Sequence, residues 1–439
     1  MLTQNSLPEA EEHKNLTNKE AAIKFLTNNM VTIMFVVLVL AGFLVAGMNP
    51  FLFVFDIVAR MSRNSFLVLS LIIPVVAGMG LNFSIVLGAM AGQALLIFVT
   101  HWGITGLPGI LLCIVLVTPL SMLLGYLTGK LFNKAKGQEM IAGLILAFFA
   151  QGIYELIFLQ LVGGIIPMDN PVLIMSSGIG VRTTVDLTAG LKYGLDWPGQ
   201  IWGMPNLLRP TLPWTLIVGV IAVIIGFLVY RFVFKGRLPS LPWIGTGLVA
   251  AGLIVYWSAI QIQQETMMMM ARIPLLTWIV ILTLCLFIVF FSRTKLGQDM
   301  RSVGQDRHVA AVSGIQVDRV RVIAIMMSMV MASWGHIIFL QNMGAFSTYG
   351  SHEQIGLYSV AALLIGGATV SKATISQALL GVFLFHSLFI VSPSAGRQLF
   401  GDAQVGEYFR VFVAYGVIGI TLALHAWKQL LQKKDQLGV

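Results

Sequence analysis

Apolar runs about as long as a bilayer is thick recur along this chain, and they limit its possible folds more than any other feature. Windows of about twenty apolar residues fall near 30–48, 65–80, 83–100, 106–129, 140–163, 213–234, 240–259, 273–291, 319–341, 355–368, 374–393 and 405–427. Hydrocarbon offers the backbone no partner but itself, so such runs cross as helices. Of 439 residues, 57% are hydrophobic and only 10% charged, whereas soluble domains carry about a quarter charged. A soluble enzyme is excluded. The expected fold class is all-α, a polytopic integral membrane protein of about twelve spans.

The first run, "MVTIMFVVLVLAGFLVAG", follows a polar tail and lacks a strong small-residue cleavage site, which predicts an uncleaved span. The expected organisation is a tail over 1–29, a transmembrane domain over 30–427 and a second tail over 428–439. An even span count puts both tails on one side. The links on that side carry Lys14, Lys19 and Lys24; Lys130, Lys134 and Lys136; Arg231, Lys235 and Arg237; Arg293, Lys295, Arg301, Arg307, Arg319 and Arg321; and Lys428, Lys433 and Lys434. The positive-inside bias then predicts cytoplasmic termini. Clustering at span ends also accounts for the net charge of +9, so the expected partner is the lipid bilayer and no nucleic acid. Arg60 and Arg63 depart from the bias, in an outer-side segment that reads as an interfacial helix. Cys113 and Cys285 lie within apolar runs and read as small hydrophobes.

Two links are long. The outer one, 164–212, is rich in Gly and Pro and carries Trp197 and Trp202, which fits either a packed lid or a binding surface. The inner one, 293–318, predicts a short helix: Asp306 can accept orphan N–H groups as N-cap, and Gly314 can take the left-handed conformation that ends it. Ala310 and Ala311 would admit a close neighbour there, while Arg307 would meet an acidic partner. Two Gly-broken apolar segments, 75–93 and 363–381, suggest repeated halves of a transporter. Their Gly80, Asn82 and Ser84, and Gly366, Gly367 and Thr369, are pathway candidates. The four-residue echo "GQEM" (137–140) and "GQDM" (297–300) carries little weight.

Glu155 is the clearest acid inside a span, where a lone carboxylate costs about 2.5–3.5 kcal/mol. Compensation is expected from Gln151, Tyr154, Gln160, His336 or His386. The scattered histidines predict no metal site. "GYLTGKL" and "GGATVSKAT" miss the phosphate-loop spacing, and no hydrolase motif is present, so no enzyme activity is expected in this chain.

From Thr294 to Val317, "TKLGQDMRSVGQDRHVAAVSGIQV" resembles a segment of permeases from ribose-type and branched-chain-amino-acid-type bacterial ABC importers, through Thr294, Gly297, Gly304, Ser313, Gly314, Ile315 and Val317. "GLNFS" (80–84) and "LIGGATV" (364–370) are similar to further stretches of that family, and "GYLTGKLFNKAKGQEMIAGLILAFFAQG" (125–152) matches more loosely. Asn82 stands where the family has Asp, Val86 where it has Gly, and Lys372 follows a shortened Gly turn. One hairpin, 213–259, is additional to the family's ten spans.

The resemblance implies a coupling segment that docks on a separate ATPase, through Gly304, Asp306, Arg307, Ala310, Ala311, Ser313, Gly314 and Ile315. It implies no cofactor in this chain, ATP being bound by that partner. It also implies a second permease copy or paralogue, an extracytoplasmic solute-binding protein, and a place in the bacterial plasma (inner) membrane. The expected cargo is a small polar solute, sugar or nucleoside. The competing reading is an ion-coupled secondary transporter that uses Glu155.

Overall fold

The computed structural model describes residues 29–196, 200–201, 204–205, 208–232, 241–264, 271–413, 415–416, 418–420 and 423, and its helices follow the apolar runs. Helix α1 (Met30–Ala46) stops where Gly47 turns left-handed. Helix α2 (Pro50–Leu69) starts with Pro50 behind Asn49, whose side chain accepts the Phe51 N–H. It runs through a short turn into α3 (Ile72–Val76), followed by α4 (Ile85–His101), α5 (Gly106–Lys134) and α6 (Glu139–Leu156), which closes in a π turn over Ile157–Leu161. Helices α7 (Leu212–Phe232) and α8 (Leu241–Gln263) pair with each other as a hairpin. Next come α9 (Leu275–Phe291), α10 (Lys295–Gln305), α11 (Arg307–Val312), α12 (Val317–Met343), α13 (Ile355–Ile365) and α14 (Ile375–Phe400). A further helical stretch starts at 403.

Among the described residues, five helices are long and apolar enough to cross a membrane: α2 with α3, α5, α6 with its π turn, α12 and α14. Helix α9 makes a sixth when joined to α10 across a 76° bend. Helices α1, α4 and α13 are shorter, at 17, 17 and 11 residues; the chain is a mainly helical, multi-pass membrane protein, and the predicted count of twelve spans is not confirmed. Arg60 and Arg63 belong to a longer helix than the apolar window from 65 suggests. They sit within α2, whose polar residues hid its first part from a hydropathy window that found a span only from 65. Helix α14 likewise outlasts its apolar window of 374–393, running through Pro393 to Phe400. The two predicted tails, 1–29 but for Asn29 and 428–439, lie outside the described residues.

Helix α12 is the central post. Small residues four apart let its neighbours come close, since a Cβ there would strike backbone. In α4, Gly88 and Gly92 face Met329 O and Ser333 O, and in α5, Gly125 and Gly129 face the Cα atoms of Met326 and Val322. Trp334 Nε1 donates to Thr118 Oγ1 at 3.0 Å, fixing the α12–α5 register. Helix α14 packs on α1, α2 and α13 beside this post.

The described residues of the long link 164–212 form a packed cap. Its strand β1 (Thr184–Asp186) pairs antiparallel with β4 (Ala345–Ser347), Val185 opposite Phe346, while β2 (Gln200–Ile201) and β3 (Met204–Pro205) form a small pair of their own. Tyr349 Oη donates to Val181 O at 2.6 Å. Asp196 is fully buried and accepts the backbone N–H and the hydroxyl of Thr277, at the start of α9. Burial pushes its carboxyl above the usual range despite those donors. The Arg209 guanidinium lies 3.4 Å over the Tyr193 ring. Trp197 and Trp202 lie outside the described residues. The bundle thus has two ends, a strand end under this cap and an α11 end opposite.

Candidate functional site

At the α11 end, the chain leaves α9 and turns sharply because Thr294 caps α10, its hydroxyl accepting the Gly297 N–H. Asp306 then ends α10 and starts α11, as its carboxylate accepts the N–H groups of His308 at 2.7 Å and Val309 at 3.0 Å. Those N–H groups, Val309 first, hold its carboxyl below the usual range. Gly314, with φ of +82°, turns the chain into α12. The predicted capped helix is therefore present, with a second helix, α10, ahead of it.

Its surroundings correct two expectations. Arg307 does not reach outward for an acidic partner: its Nη2 donates to Gly78 O at 2.9 Å and to Glu139 Oε1 at 3.0 Å. Ala310 is buried in the chain's own core, so of the two alanines only Ala311 faces out. Val309 and Val312 are exposed beside it, at 60% and 77%. Ala311 and Ile315 also line a groove toward α5, and Ser313 is exposed. Gly304 packs against the backbone break after α3, where a Cβ would fall onto Val76 O. This joins the inner link directly to the first Gly-broken segment.

Within that segment Gly78 and Gly80 have φ of +70° and +71°, a region that favours glycine. Gly80 packs on the Met140 side chain. Asn82 and Ser84 are buried and bond each other, and Asn82 Nδ2 reaches Ser328 Oγ of α12 at 3.3 Å. In the second segment Gly366 meets the backbone of Gln377, Gly367 accepts a hydrogen bond from Gln377 Nε2 at 2.8 Å, and Thr369 is exposed. Helices α4 and α13, which carry parts of the two segments, touch each other, and of these six residues only Thr369 is exposed.

Glu155 sits in the last turn of α6, and Gln151 Nε2 donates to its Oε1 at 2.6 Å. Behind Gln151, its Oε1 meets His352 Nε2 at 2.5 Å, and His352 Nδ1 and His336 Nε2 lie 3.3 Å and 3.1 Å from Gln93 Oε1. Gln93 Nε2 donates to Tyr154 Oη at 3.0 Å. Of the expected partners, Gln151 is direct, His336 joins through Gln93, and Tyr154 joins through Gln93 and by ring contact with His352. His386 is elsewhere. Gln93 and His352 were missed in the sequence, although each is a polar residue bordering or inside an apolar run.

His386 lines a cavity of about 330 Å³ toward the strand end, between α2, α12, α13 and α14. Arg60, Arg63 and Asn64 of α2 form one wall, with the rings of Phe339, Tyr358 and Phe389 around it. The only signal for it in the sequence was the departure of Arg60 and Arg63 from the charge bias.

A profile of the family described as branched-chain amino acid transport system / permease component matches residues 188–422, which take in α9 to α14 and the inner link but not the first Gly-broken segment. The nucleoside ABC transporter permease protein NupC of Lactococcus lactis subsp. cremoris is 29% identical over 157 residues, covering 36% of this chain and 47% of that protein. The similarity thus spans about half of that relative's length. No solved structure matches the chain. With more than half of its length matched by the family profile, the chain belongs to the branched-chain-amino-acid-type permeases of ABC importers.

Proposed function

We propose that this permease is the membrane-spanning subunit of an ATP-driven importer of nucleosides, its α11 end cytoplasmic and its strand end outside, in a bacterial inner membrane. It works with a second permease copy or paralogue, with ATPase subunits docked on α11, and with a solute-binding protein delivering cargo to the capped side. The carrying observation is the inner link itself. A helix capped at both ends presents Val309, Ala311 and Val312 outward, while Gly304 and Arg307 tie it to the Gly78 break. Exposed apolar side chains on an otherwise polar link suit a protein partner, and the tie would carry a push on α11 into the span that precedes the break. The nucleoside assignment takes its support from the relative's name.

The test is Ala311→Arg, which adds bulk and charge at the outward face. Bulk inserted into a packed contact costs about 1–3 kcal/mol, so retention of the ATPase on detergent purification should fall about tenfold. The permease itself should keep its elution profile and melting temperature. Undiminished co-purification of the ATPase would sink the docking role.

A further inference from the structure

The cavity under the cap holds more hydrogen-bond donors than its own walls can satisfy. Arg60 and Arg63 are three residues apart on α2 and so share a face. Among the described residues neither guanidinium forms a direct ion pair, although the charges of Asp56 and, for Arg60, Glu407 are felt there: the ion pairs found join Glu139 to Arg307 and Arg321, and Glu407 to Arg410. Arg63 Nε turns back to Ala59 O at 3.1 Å, and its Nη1 meets only the weak acceptor Met343 Sδ. Arg60 has no side-chain hydrogen bond among the described residues. His386 is only 6% exposed, lines the same cavity, and its Nδ1 has no partner. The buried His386 Nδ1 without a partner costs free energy comparable to a lost hydrogen bond, and the half-buried Arg60 and Arg63 leave donors open to the cavity, so a molecule that enters gains by supplying acceptors.

We infer that this cavity is where the permease itself binds the nucleobase of its cargo, the acceptor edge of the base meeting Arg60, Arg63 and His386 and its ring lying against the Phe339, Tyr358 and Phe389 side chains. The inference rests on the nucleoside reading above and adds the binding residues. A guanidinium fork matches the paired acceptors of a base edge, as it does O6 and N7 of guanine, and bases stack on aromatic rings whatever their sequence. A bare sugar offers donors as freely as acceptors and has no flat face for the rings. A phosphate or an acidic lipid headgroup would occupy the arginines and leave the rings without a planar partner. The volume, about 330 Å³, lies at the small end of ligand pockets, roughly 300–1,000 Å³, and suits one compact solute.

The experiment uses the full chain in nanodiscs of phosphatidylcholine, with binding of tritiated guanosine and uridine measured at equilibrium and ribose and inorganic phosphate as competitors. Guanosine should bind more tightly than uridine, whose edge lacks two adjacent acceptors, ribose should not compete, and Arg60→Gln and Arg63→Gln should each weaken guanosine binding about tenfold. Arg63→Lys, which keeps the charge and loses the fork, should weaken it nearly as much, and it serves if either Gln variant fails to fold. Competition by ribose as strong as by the nucleosides, or variants that bind like the wild type, would overturn the site. So would displacement of nucleoside by phosphate, or by discs containing phosphatidylglycerol. ATP-driven guanosine uptake by the permease reconstituted with its partners separates the two levels. Uptake whose KM is unchanged in the Arg variants overturns the site alone, whereas a wild-type complex that carries another solute and no nucleoside overturns the nucleoside reading and this inference with it.

Discussion

Glu139 accepts from two guanidinium groups at once, Arg307 at 3.0 Å and Arg321 of α12, while being almost enclosed itself. Removing one member of a buried ion pair strands the others and costs about 3–5 kcal/mol, whereas replacing the set by apolar residues of like volume is far milder. Glu139→Ala should therefore lower the melting temperature markedly, and a Glu139→Leu, Arg321→Met double variant should recover much of the loss. Equal melting temperatures for Glu139→Ala and the wild type would contradict this. The pair was not legible beforehand, for "GQEM" gives no hint that its acid meets an arginine 182 positions later. Asp306 was legible because a cap is local: its carboxylate needs only the N–H groups two and three residues on. Arg307 went wrong for the same reason, since its neighbours in sequence are not its neighbours in space.

Between elements, backbone meets backbone at glycine. The Gly pairs at 78 and 80 and at 366 and 367 announced breaks in helical runs, and the breaks are there. Their setting was not announced, because a pathway and a tight helix crossing call for the same small residues. At Gly366 and Gly381 a Cβ would strike the carbonyls of Gln377 and Ala362, so this pair closes α13 onto α14. Gly304 and Gly314 make a controlled comparison. Gly314 has open space around it and only a left-handed φ to lose, so Gly314→Ala should cost about 1 kcal/mol. Gly304→Ala drives a methyl into the Val76 carbonyl and should cost at least about 1–3 kcal/mol. Melting curves of the two variants, with faster hydrogen exchange around Gly78 in Gly304→Ala alone, would check it; matching losses and matching exchange would refute the contact.

For the molecule as a whole, the energy source separates the two readings. Glu155→Gln keeps the hydrogen-bonding shape beside Gln151 and removes the charge, so uptake into vesicles should remain dependent on ATP and indifferent to an ionophore. Uptake that ignores ATP, follows the ion gradient and disappears in Glu155→Gln would sink the ATP-driven reading, since intramembrane carboxylates of secondary carriers mark their ion path. The general architecture was legible because hydrocarbon enforces long apolar runs, but Asp56, Arg60, Arg63 and Asn64 broke the first half of α2 in any hydropathy window. Three of those four residues help to shape the cavity or its approach from inside the bundle. One more consequence lies in the β1–β4 ladder. Val185 of the cap is in register with Phe346, which also borders the cavity. The ladder therefore ties the cap to one wall of the cavity, and moving either one alone would break the hydrogen bonds between them.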